Sequence, residues 1–380
     1  MMRSLVALLA LVVLTAPARI MSPALPALER MIGQMIVVGF SGSEPLHGNV
    51  LQTRRQIAEG RIGGVMLLGR NVTDAAGTRR LIAALTHAAT DLPLLVAVDQ
   101  EGGRVARLRW RTGVTPFPSA RRVSETMDPA QAAALYEKGA RDLAALGFNL
   151  NFGPVVDVDV NPFNPVIGRL GRSYSSEPAR VAHYAGAFVQ GHRKAGVLTA
   201  LKHFPGHGSS TRDSHHGTTD ITETWSEDEL LPFASLIAKG QADIVMTGHL
   251  LHRDHEATLP ATLSHRIVTG LLRERLGFDG VVIADDLQMG AVRRHFSEEE
   301  AAVAAIRAGV DILLFSRDRA IDPTLVDRVM GAVAVAARRD PRLRERIERS
   351  HARIVALKAR LGGARLGGAR LGEAGHTALH

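Results

Sequence analysis

The sequence contains no cysteine among its 380 residues, and only 4% of its residues are aromatic. The lack of cysteine excludes a disulfide scaffold, a thiolate-bound zinc or iron–sulfur site, a thiol nucleophile and a lipid-modified N-terminal cysteine. Past the N-terminal segment, no apolar run approaches the length needed to span a bilayer. Hydrophobic residues make up 46% of the chain and charged residues 22%, which excludes a largely disordered or fibrous protein.

The net charge of +8 is unevenly distributed along the chain. Residues 341–370 contain nine Lys and Arg against two Glu, so this stretch alone carries +7. A basic terminal helix is more typical of a solvated face than of a nucleic-acid surface, although it would also favour anionic cell-envelope polymers. We therefore expect no nucleic-acid partner.

The N-terminus has the three-part layout of a secretory signal. Arg3 precedes an apolar run over residues 5–14, and Ala16-Pro17-Ala18 resembles a cleavage site. We predict a signal peptide over residues 1–18 and a periplasmic or secreted protein. The alternative is an uncleaved membrane anchor, which would place the folded part on the same side of the membrane.

Short β-rich runs alternate with helical stretches along the rest of the chain. The predicted helical stretches include residues 74–90, 129–146, 177–195, 225–239, 264–276 and 297–308. Several runs are almost continuously apolar, as parallel strands buried on both faces should be. The pattern predicts one α/β domain, a single (β/α)8 TIM barrel over residues 19–360. A doubly wound sheet is the alternative, but residues 40–43 lack the glycine-rich phosphate turn expected after its first strand. The eight predicted strands are residues 35–40, 62–68, 93–99, 148–156, 197–203, 244–249, 280–285 and 311–315.

The C-terminal part divides into a helix and a tail. Residues 341–360 form an amphipathic pattern with Leu343, Ile347, Ile354 and Leu357 on one side. Two copies of Leu-Gly-Gly-Ala-Arg follow over residues 361–370. We expect residues 361–380 to be disordered because this tail is of low complexity.

Polar side chains gather where the predicted strands end, which is where barrel enzymes place their chemistry. The seventh strand ends in Asp285 and Asp286, and alternation sends one toward the barrel axis and the other aside. We assign Asp285 to chemistry and Asp286 to helix capping or support. The other polar residues at strand ends include Asp99, Glu101, Asp157, Lys202, His203, Thr247, His249 and Ser316.

Asp213 and His215 lie two residues apart in a Gly- and Ser-rich segment after the fifth strand. In extended backbone this spacing places a carboxylate beside the imidazole, as a general acid/base needs. Such a loop should be mobile, so the pair is expected to close over a bound substrate. The alternative is an ordinary solvated polar loop.

Metal ligation is an alternative because the sequence has 16 histidines. Metal-dependent amidohydrolase barrels need a His-x-His motif at the end of the first strand, where this chain has Val37-Val38-Gly39-Phe40. The turn at Pro205-Gly206 also prevents His203 and His207 from sharing a helix face. We therefore expect neither a metal nor another cofactor.

Several sequence blocks together resemble one family. Residues 202–208, Lys-His-Phe-Pro-Gly-His-Gly, followed by Asp-Ser-His at 213–215, are similar to the signature of the β-N-acetylglucosaminidases of glycoside hydrolase family 3. The resemblance extends over roughly residues 31–315. Further matching blocks lie in the same order at residues 99–107, 164–168, 172–174 and 283–287.

This resemblance implies a retaining hydrolase that releases terminal β-linked N-acetylglucosamine from peptidoglycan fragments or chitin-like oligosaccharides. It implies that Asp285 is the nucleophile, and that His215, supported by Asp213, is the acid/base. It also implies a carbohydrate substrate and no metal. We expect the protein to be a monomer. The sugar-binding positions that the resemblance implies are Asp99, Arg107, Arg172, Lys202 and His203.

The chain departs from the best-known family members, which are cytoplasmic and lack the extra residues Arg169-Leu170-Gly171. About 65 residues follow the last strand, too few for the second domain of many β-glucosidase relatives. Alternatives on the same scaffold are a β-glucosidase and a phosphorylase. Phosphorolysis is an alternative because a histidine acid, in place of a second carboxylate, leaves less negative charge to repel phosphate. Substrate-assisted hydrolysis, metal-dependent hydrolysis and non-catalytic peptidoglycan binding are further alternatives.

Overall fold

The computed structural model describes residues 26–317 and 321–369. The predicted signal peptide and residues 370–380 of the predicted tail lie outside this range. No helix within the described part of the chain is long and apolar enough to cross a membrane.

Eight parallel strands form the central sheet, in the order in which they follow along the chain. The first strand pairs with the last through Ile36 and Leu313, while a single bridge joins Ile283 and Ile312 on the remaining side. All eight predicted strands and the predicted (β/α)8 barrel are confirmed. The strands are β1 (Ile36–Gly39), β2 (Gly64–Leu67), β3 (Leu95–Val98), β4 (Leu150–Asn151), β5 (Leu198–Phe204), β6 (Ile244–Thr247), β7 (Val281–Ala284) and β8 (Leu313–Phe315).

The strands owe their continuous apolar pattern to burial on both faces. Every residue of β3 and β7 is buried, with helices outside and neighbouring strands on either side. Strand β4 is shorter than predicted because Pro154 has no N–H to donate to a neighbouring strand. Beyond this interruption, Val155 forms an isolated bridge to Lys202.

The helices predicted between the strands are present, and five α-helices were not predicted. Residues 264–276, predicted as a helix, contain the π-helix Arg266–Arg275. The unpredicted helices are α1, α2, α4, α8 and α10. The α-helices are α1 (Ala27–Gln34), α2 (Gly48–Ala58), α3 (Ala75–Thr86), α4 (Ala120–Thr126), α5 (Pro129–Leu146), α6 (Pro178–Lys194), α7 (Leu231–Ala238), α8 (Gly290–Arg293), α9 (Glu298–Ala308), α10 (Leu325–Arg339) and α11 (Pro341–Ala369).

Helix α11 contacts the ends of the barrel strands opposite to the predicted site. The apolar side of the helix is buried, as predicted, through Leu343, Ile347, Ile354 and Leu357. Its polar side chains bind groups that precede barrel strands: Arg346 contacts Asp311 at 2.6 Å, and the Lys358 Nζ donates to the Gly63 carbonyl at 2.7 Å. The helix runs to Ala369, so it includes part of the segment expected to be disordered; disorder of the last residues stays a prediction.

Candidate active site

All eight residues predicted for the site line one cavity of about 900 Å³. Four of them lie at or within barrel strands: Asp99 follows β3, Lys202 and His203 are in β5, and Asp285 follows β7. The others come from the loops after β3, β4 and β5, which the closed barrel brings to one end. The cavity therefore lies at the carboxyl ends of the strands. The remaining predicted residues in its lining are Arg107, Arg172, Asp213 and His215.

Asp285 lies at the tip of β7, where its N–H donates to the Thr247 carbonyl at 3.1 Å. One carboxylate oxygen accepts the N–H of Asp286 at 2.8 Å. Burial alone would raise the pKa of Asp285, but the imidazoles of His203, His249 and His215 and the Asp286 N–H outweigh it and hold this pKa below its ordinary value. The carboxylate is therefore ionised at neutral pH and available to a substrate in the cavity.

The neighbouring Asp286 is engaged in local hydrogen bonds. Its carboxylate accepts the N–H of Ser316 at 3.0 Å, the hydroxyl of Ser316 at 2.5 Å and the N–H of Gln288 at 3.1 Å. Burial raises the pKa of Asp286. The two adjacent carboxylates thus differ, and Asp286 ties the end of β7 to the end of β8, consistent with the supporting role expected for it.

The loop after β5 carries the Asp213–His215 pair. An Asp213 Oδ1 oxygen lies 2.7 Å from the His215 Nδ1 and also accepts the His215 N–H at 2.8 Å. Burial would raise the pKa of Asp213, but these hydrogen bonds lower it below its ordinary value. The His215 ring stays more than half exposed and borders the cavity.

This loop is attached to the segment that follows Asp285. The N–H of Gly290 donates to the His215 carbonyl at 3.1 Å, and the N–H of Ala291 donates to the Ser214 carbonyl at 3.2 Å. The two hydrogen bonds place the loop over the end of β7. The predicted movement of the loop stays a prediction.

A buried charge network forms one wall of the cavity. Glu101 pairs with Arg172 through two hydrogen bonds of 2.8 Å and with the Lys202 ammonium at 2.6 Å. The Asp99 carboxylate contacts Lys202 and Arg107, each at 3.1 Å. The extra residues before Arg172 do not prevent it from reaching the cavity.

Glu101 was noted at a strand end but was not assigned to the site. Its signal was its position two residues after Asp99, which in extended backbone sends both carboxylates the same way. Burial would raise the pKa of Glu101, but Arg172 and Lys202 hold it well below its usual range. Burial lowers and Glu101 raises the pKa of Lys202, with a net increase, so the ammonium remains charged.

Asp157 is the second residue that sequence reasoning did not assign. Its buried carboxylate lies 2.7 Å from the His203 Nδ1 and accepts the N–H of His203 at 3.1 Å and of His207 at 2.8 Å. These contacts fix the His203 ring, whose Nε2 lies 3.5 Å from an Arg172 nitrogen. Asp157 was visible only as a polar residue after the fourth strand.

Within residues 26–317 and 321–369, no group of three or more His, Asp or Glu side chains has the arrangement of a metal site. The Asp285 carboxylate can support nucleophilic attack, and the His215 imidazole can support proton transfer, because both border the cavity.

Comparison with known proteins gives one family. The family model "Glycosyl hydrolase family 3 N terminal domain" matches residues 27–357. The chain is 38% identical over 319 residues to the β-hexosaminidase LpqI of Mycobacterium tuberculosis, covering 82% of this chain and 78% of that protein. It is 37% identical over 325 residues to β-hexosaminidase A of Pseudoalteromonas piscicida, covering 79% of this chain but 54% of that longer protein.

Solved structures share the fold of most of this chain. A β-N-acetylhexosaminidase from Beutenbergia cavernae matches with a TM-score of 0.81 at 34% identity, covering 88% of this chain and 99% of that one. A family 3 β-N-acetylglucosaminidase from a Paenibacillus species matches with a TM-score of 0.80 at 36% identity, covering 94% of this chain and 65% of that one. The predicted fold and the predicted class, glycoside hydrolase, are confirmed, and the chain belongs to glycosyl hydrolase family 3.

Proposed function

We propose that this chain is a retaining, exo-acting β-N-acetylglucosaminidase that releases terminal β-linked N-acetylglucosamine. The observation that carries the proposal is that an ionised Asp285 and the Asp213-supported imidazole of His215 border the same cavity. The names of the relatives support the choice of sugar, because the Mycobacterium and Pseudoalteromonas proteins are both called β-hexosaminidases.

Asp285 is the nucleophile of the proposed reaction. Its carboxylate oxygen bonds to the anomeric carbon while the glycosidic bond breaks and its electron pair leaves with the glycosidic oxygen. The lowered pKa keeps Asp285 ionised near neutral pH, as a nucleophile requires. The Asp286 N–H bound to the same carboxylate fixes its orientation.

His215 is the acid and then the base. Because its Nδ1 is held by Asp213, its Nε2 is the nitrogen that gives a proton to the leaving oxygen. In the second step the same nitrogen takes a proton from water, the water oxygen bonds to the anomeric carbon, and Asp285 is released as a carboxylate. The Asp213 carboxylate stabilises the protonated imidazole in both steps.

The charged wall of the cavity binds the sugar hydroxyls. Lys202 and Arg172 supply cationic donors held in place by Glu101, and Asp99 supplies a carboxylate acceptor. His203 and Arg107 complete this binding set. All of these groups come from one chain, so we propose that a monomer is sufficient for activity.

The cavity is near the upper end of the range of about 300–1,000 Å³ typical of ligand pockets, so it has room for more than one sugar ring. We propose that the natural substrates are peptidoglycan fragments or chitin-like oligosaccharides, met outside the inner membrane after export directed by residues 1–18. Mass determination of the mature protein tests the export proposal, because cleavage after residue 18 removes a defined mass.

The activity test compares aryl β-glycosides of N-acetylglucosamine, glucose and xylose. We expect the N-acetylglucosaminide to have the highest kcat/KM and Asp285→Asn to abolish its turnover. The matched control is Asp279→Asn, a fully exposed aspartate just before the same strand β7. A preference for the glucoside would assign the chain to the β-glucosidase alternative.

The mechanism test uses an activated fluorosugar, whose covalent glycosyl–enzyme intermediate forms quickly and is hydrolysed slowly. We expect mass spectrometry to find the sugar on the peptide that contains Asp285. Thiazoline inhibition without any adduct would support acetamide participation instead. Formation of a sugar 1-phosphate in phosphate buffer would show that phosphate replaces water.

A further inference from the structure

His207 is a buried histidine to which the proposed mechanism gives no task. It follows β5 at the start of the loop that carries His215, and it is only 2% exposed. Its backbone N–H donates to the Asp157 carboxylate at 2.8 Å. Its ring bridges two serines of the same loop: Nδ1 lies 2.7 Å from the Ser210 Oγ, and Nε2 lies 3.1 Å from the Ser214 Oγ.

The surroundings of the His207 ring determine which of its two nitrogens donates a hydrogen bond and which accepts one. Burial, with a further contribution from His203, lowers the pKa of His207 to about 4, so its ring is neutral at pH 7. The Ser210 hydroxyl donates to the His207 carbonyl at 3.0 Å, so the Ser210 oxygen accepts the proton of Nδ1. The Nε2 atom is then an acceptor, and the hydroxyl of Ser214 donates to it.

Ser214 directly precedes His215, so this hydrogen bond is one residue away from the acid/base. The opposite side of the same segment is held by the N–H groups of Gly290 and Ala291, which follow Asp285. The segment around His215 is thus fixed between the His207 ring and the chain that carries the nucleophile. The earlier part of the loop is held separately, because the N–H groups of Gly208 and Ser209 donate to a carboxyl oxygen of Glu229 at 2.9 and 3.3 Å.

We propose that His207 is a positioning residue for the acid/base: its ring holds Ser214 and thereby sets where His215 meets the glycosidic oxygen. The inference rests on the proposed function of His215. It also links two parts of the site, because the Asp157 carboxylate that orients His203 holds the backbone of His207 as well.

The test uses the dependence of the rate on the leaving group. A poor leaving group, such as 4-methoxyphenol, needs a proton from His215, whereas 2,4-dinitrophenol leaves without one. General acid catalysis typically contributes about 10²–10⁴-fold. We expect His207→Phe and Ser214→Ala to lower kcat/KM for the 4-methoxyphenyl N-acetylglucosaminide by about tenfold or more, and to change it little for the dinitrophenyl substrate.

His192 provides the matched control. It is also a fully buried histidine with a pKa lowered to about 4 by burial, but it lies in α6, bonded to Asn151 and to the Phe188 carbonyl. His192→Phe should lower stability without changing the ratio of the two kcat/KM values. Ser214→Ala removes one hydroxyl, so it remains informative if His207→Phe does not fold.

The outcomes separate this inference from the proposed function. His215→Ala must itself lower kcat/KM more for the 4-methoxyphenyl substrate than for the dinitrophenyl substrate. If it does not, the acid/base assignment fails and the inference fails with it. If His215→Ala behaves as expected while His207→Phe or Ser214→Ala slows both substrates equally or not at all, only the positioning role is overturned. The double variant His207→Phe/Ser214→Ala would support the proposal if its kcat/KM for the 4-methoxyphenyl substrate is no lower than that of either single variant.

Discussion

Replacing Glu101 with Gln removes the negative charge that holds the charged wall of the cavity together. The side chains of Glu101, Arg172 and Lys202 are only 7%, 10% and 4% exposed, so water screens their charges little. Glu101 pairs with Arg172 through two hydrogen bonds and with Lys202 through a third contact. The glutamine has nearly the same shape, but its amide nitrogen would face one of the two cations.

Breaking a buried ion pair by removing one partner typically costs about 3–5 kcal/mol, since the remaining charge is left buried and unpaired. Lys202 keeps a contact with the Asp99 carboxylate at 3.1 Å, so the cost falls mainly on Arg172. We therefore expect Glu101→Gln to lower the free energy of unfolding by about 3 kcal/mol. Because Arg172 is a proposed sugar ligand, we also expect kcat/KM for the aryl N-acetylglucosaminide to fall at least tenfold.

The effect should depend on pH with a defined sign. Burial raises and the two cations lower the pKa of Glu101, with a net shift to well below its ordinary value of 4.5. The stabilisation is therefore fully present above pH 4.5 and is lost as the pH falls through the lower pKa of the folded state. The difference between wild type and Glu101→Gln should be largest near neutral pH and shrink below pH 4.5.

Urea unfolding at pH 7 measures this free energy, and Glu137→Gln is the matched control. Glu137 also bridges an arginine and a lysine, Arg141 at 2.6 Å and Lys194 at 3.2 Å, but those cations are 64% and 56% exposed. We expect a much smaller change there because surface pairs are screened by water. Equal urea midpoints and slopes for the two variants would refute the reasoning from buried charge.

Two further predictions concern the opposite end of the barrel. Asp311→Asn should lower the free energy of unfolding by about 3–5 kcal/mol, because this buried carboxylate accepts hydrogen bonds of 2.6 Å from both Arg273 and Arg346. An unchanged urea midpoint would contradict it, and kcat of the folded protein should not change. Burial lowers the pKa of Lys358, which donates to the Gly63 carbonyl, from 10.5 to about 7. The unfolded chain therefore binds the extra proton between these values, so stability should rise with pH from 7 to 10.5, by at most about 1.4 kcal/mol per pH unit. Urea unfolding across this range should show that slope in the wild type and a flatter one in Lys358→Met; equal slopes would argue against a buried, neutral lysine.

The elements that the sequence predicted are those with a strong local pattern. Strands β3 and β7 are continuous apolar runs, and helix α5 begins at Pro129 after an aspartate cap and ends before Gly147, as its sequence indicated. Helix α2 was not predicted because it begins with Gly48 and has only two buried aliphatic residues, so it lacks a clear apolar periodicity.

For the site, the sequence by itself determined which chemical groups are available and at which strand ends they lie. Asp285 after β7 and the i, i+2 spacing of Asp213 and His215 are local features, because they depend on strand alternation and on one short loop. The resemblance to a family then supplied their roles and the sugar-binding positions.

Only the tertiary structure decided how those groups are paired and charged. Glu101 and Arg172 are 71 residues apart, and no local pattern indicates that they share two hydrogen bonds. The same holds for the buried contacts of Asp157 and for the separation in pKa between Asp285 and Asp286. The physical reason is that strand and helix formation depends on neighbours along the chain, whereas desolvation and charge pairing depend on which distant side chains the closed barrel packs together.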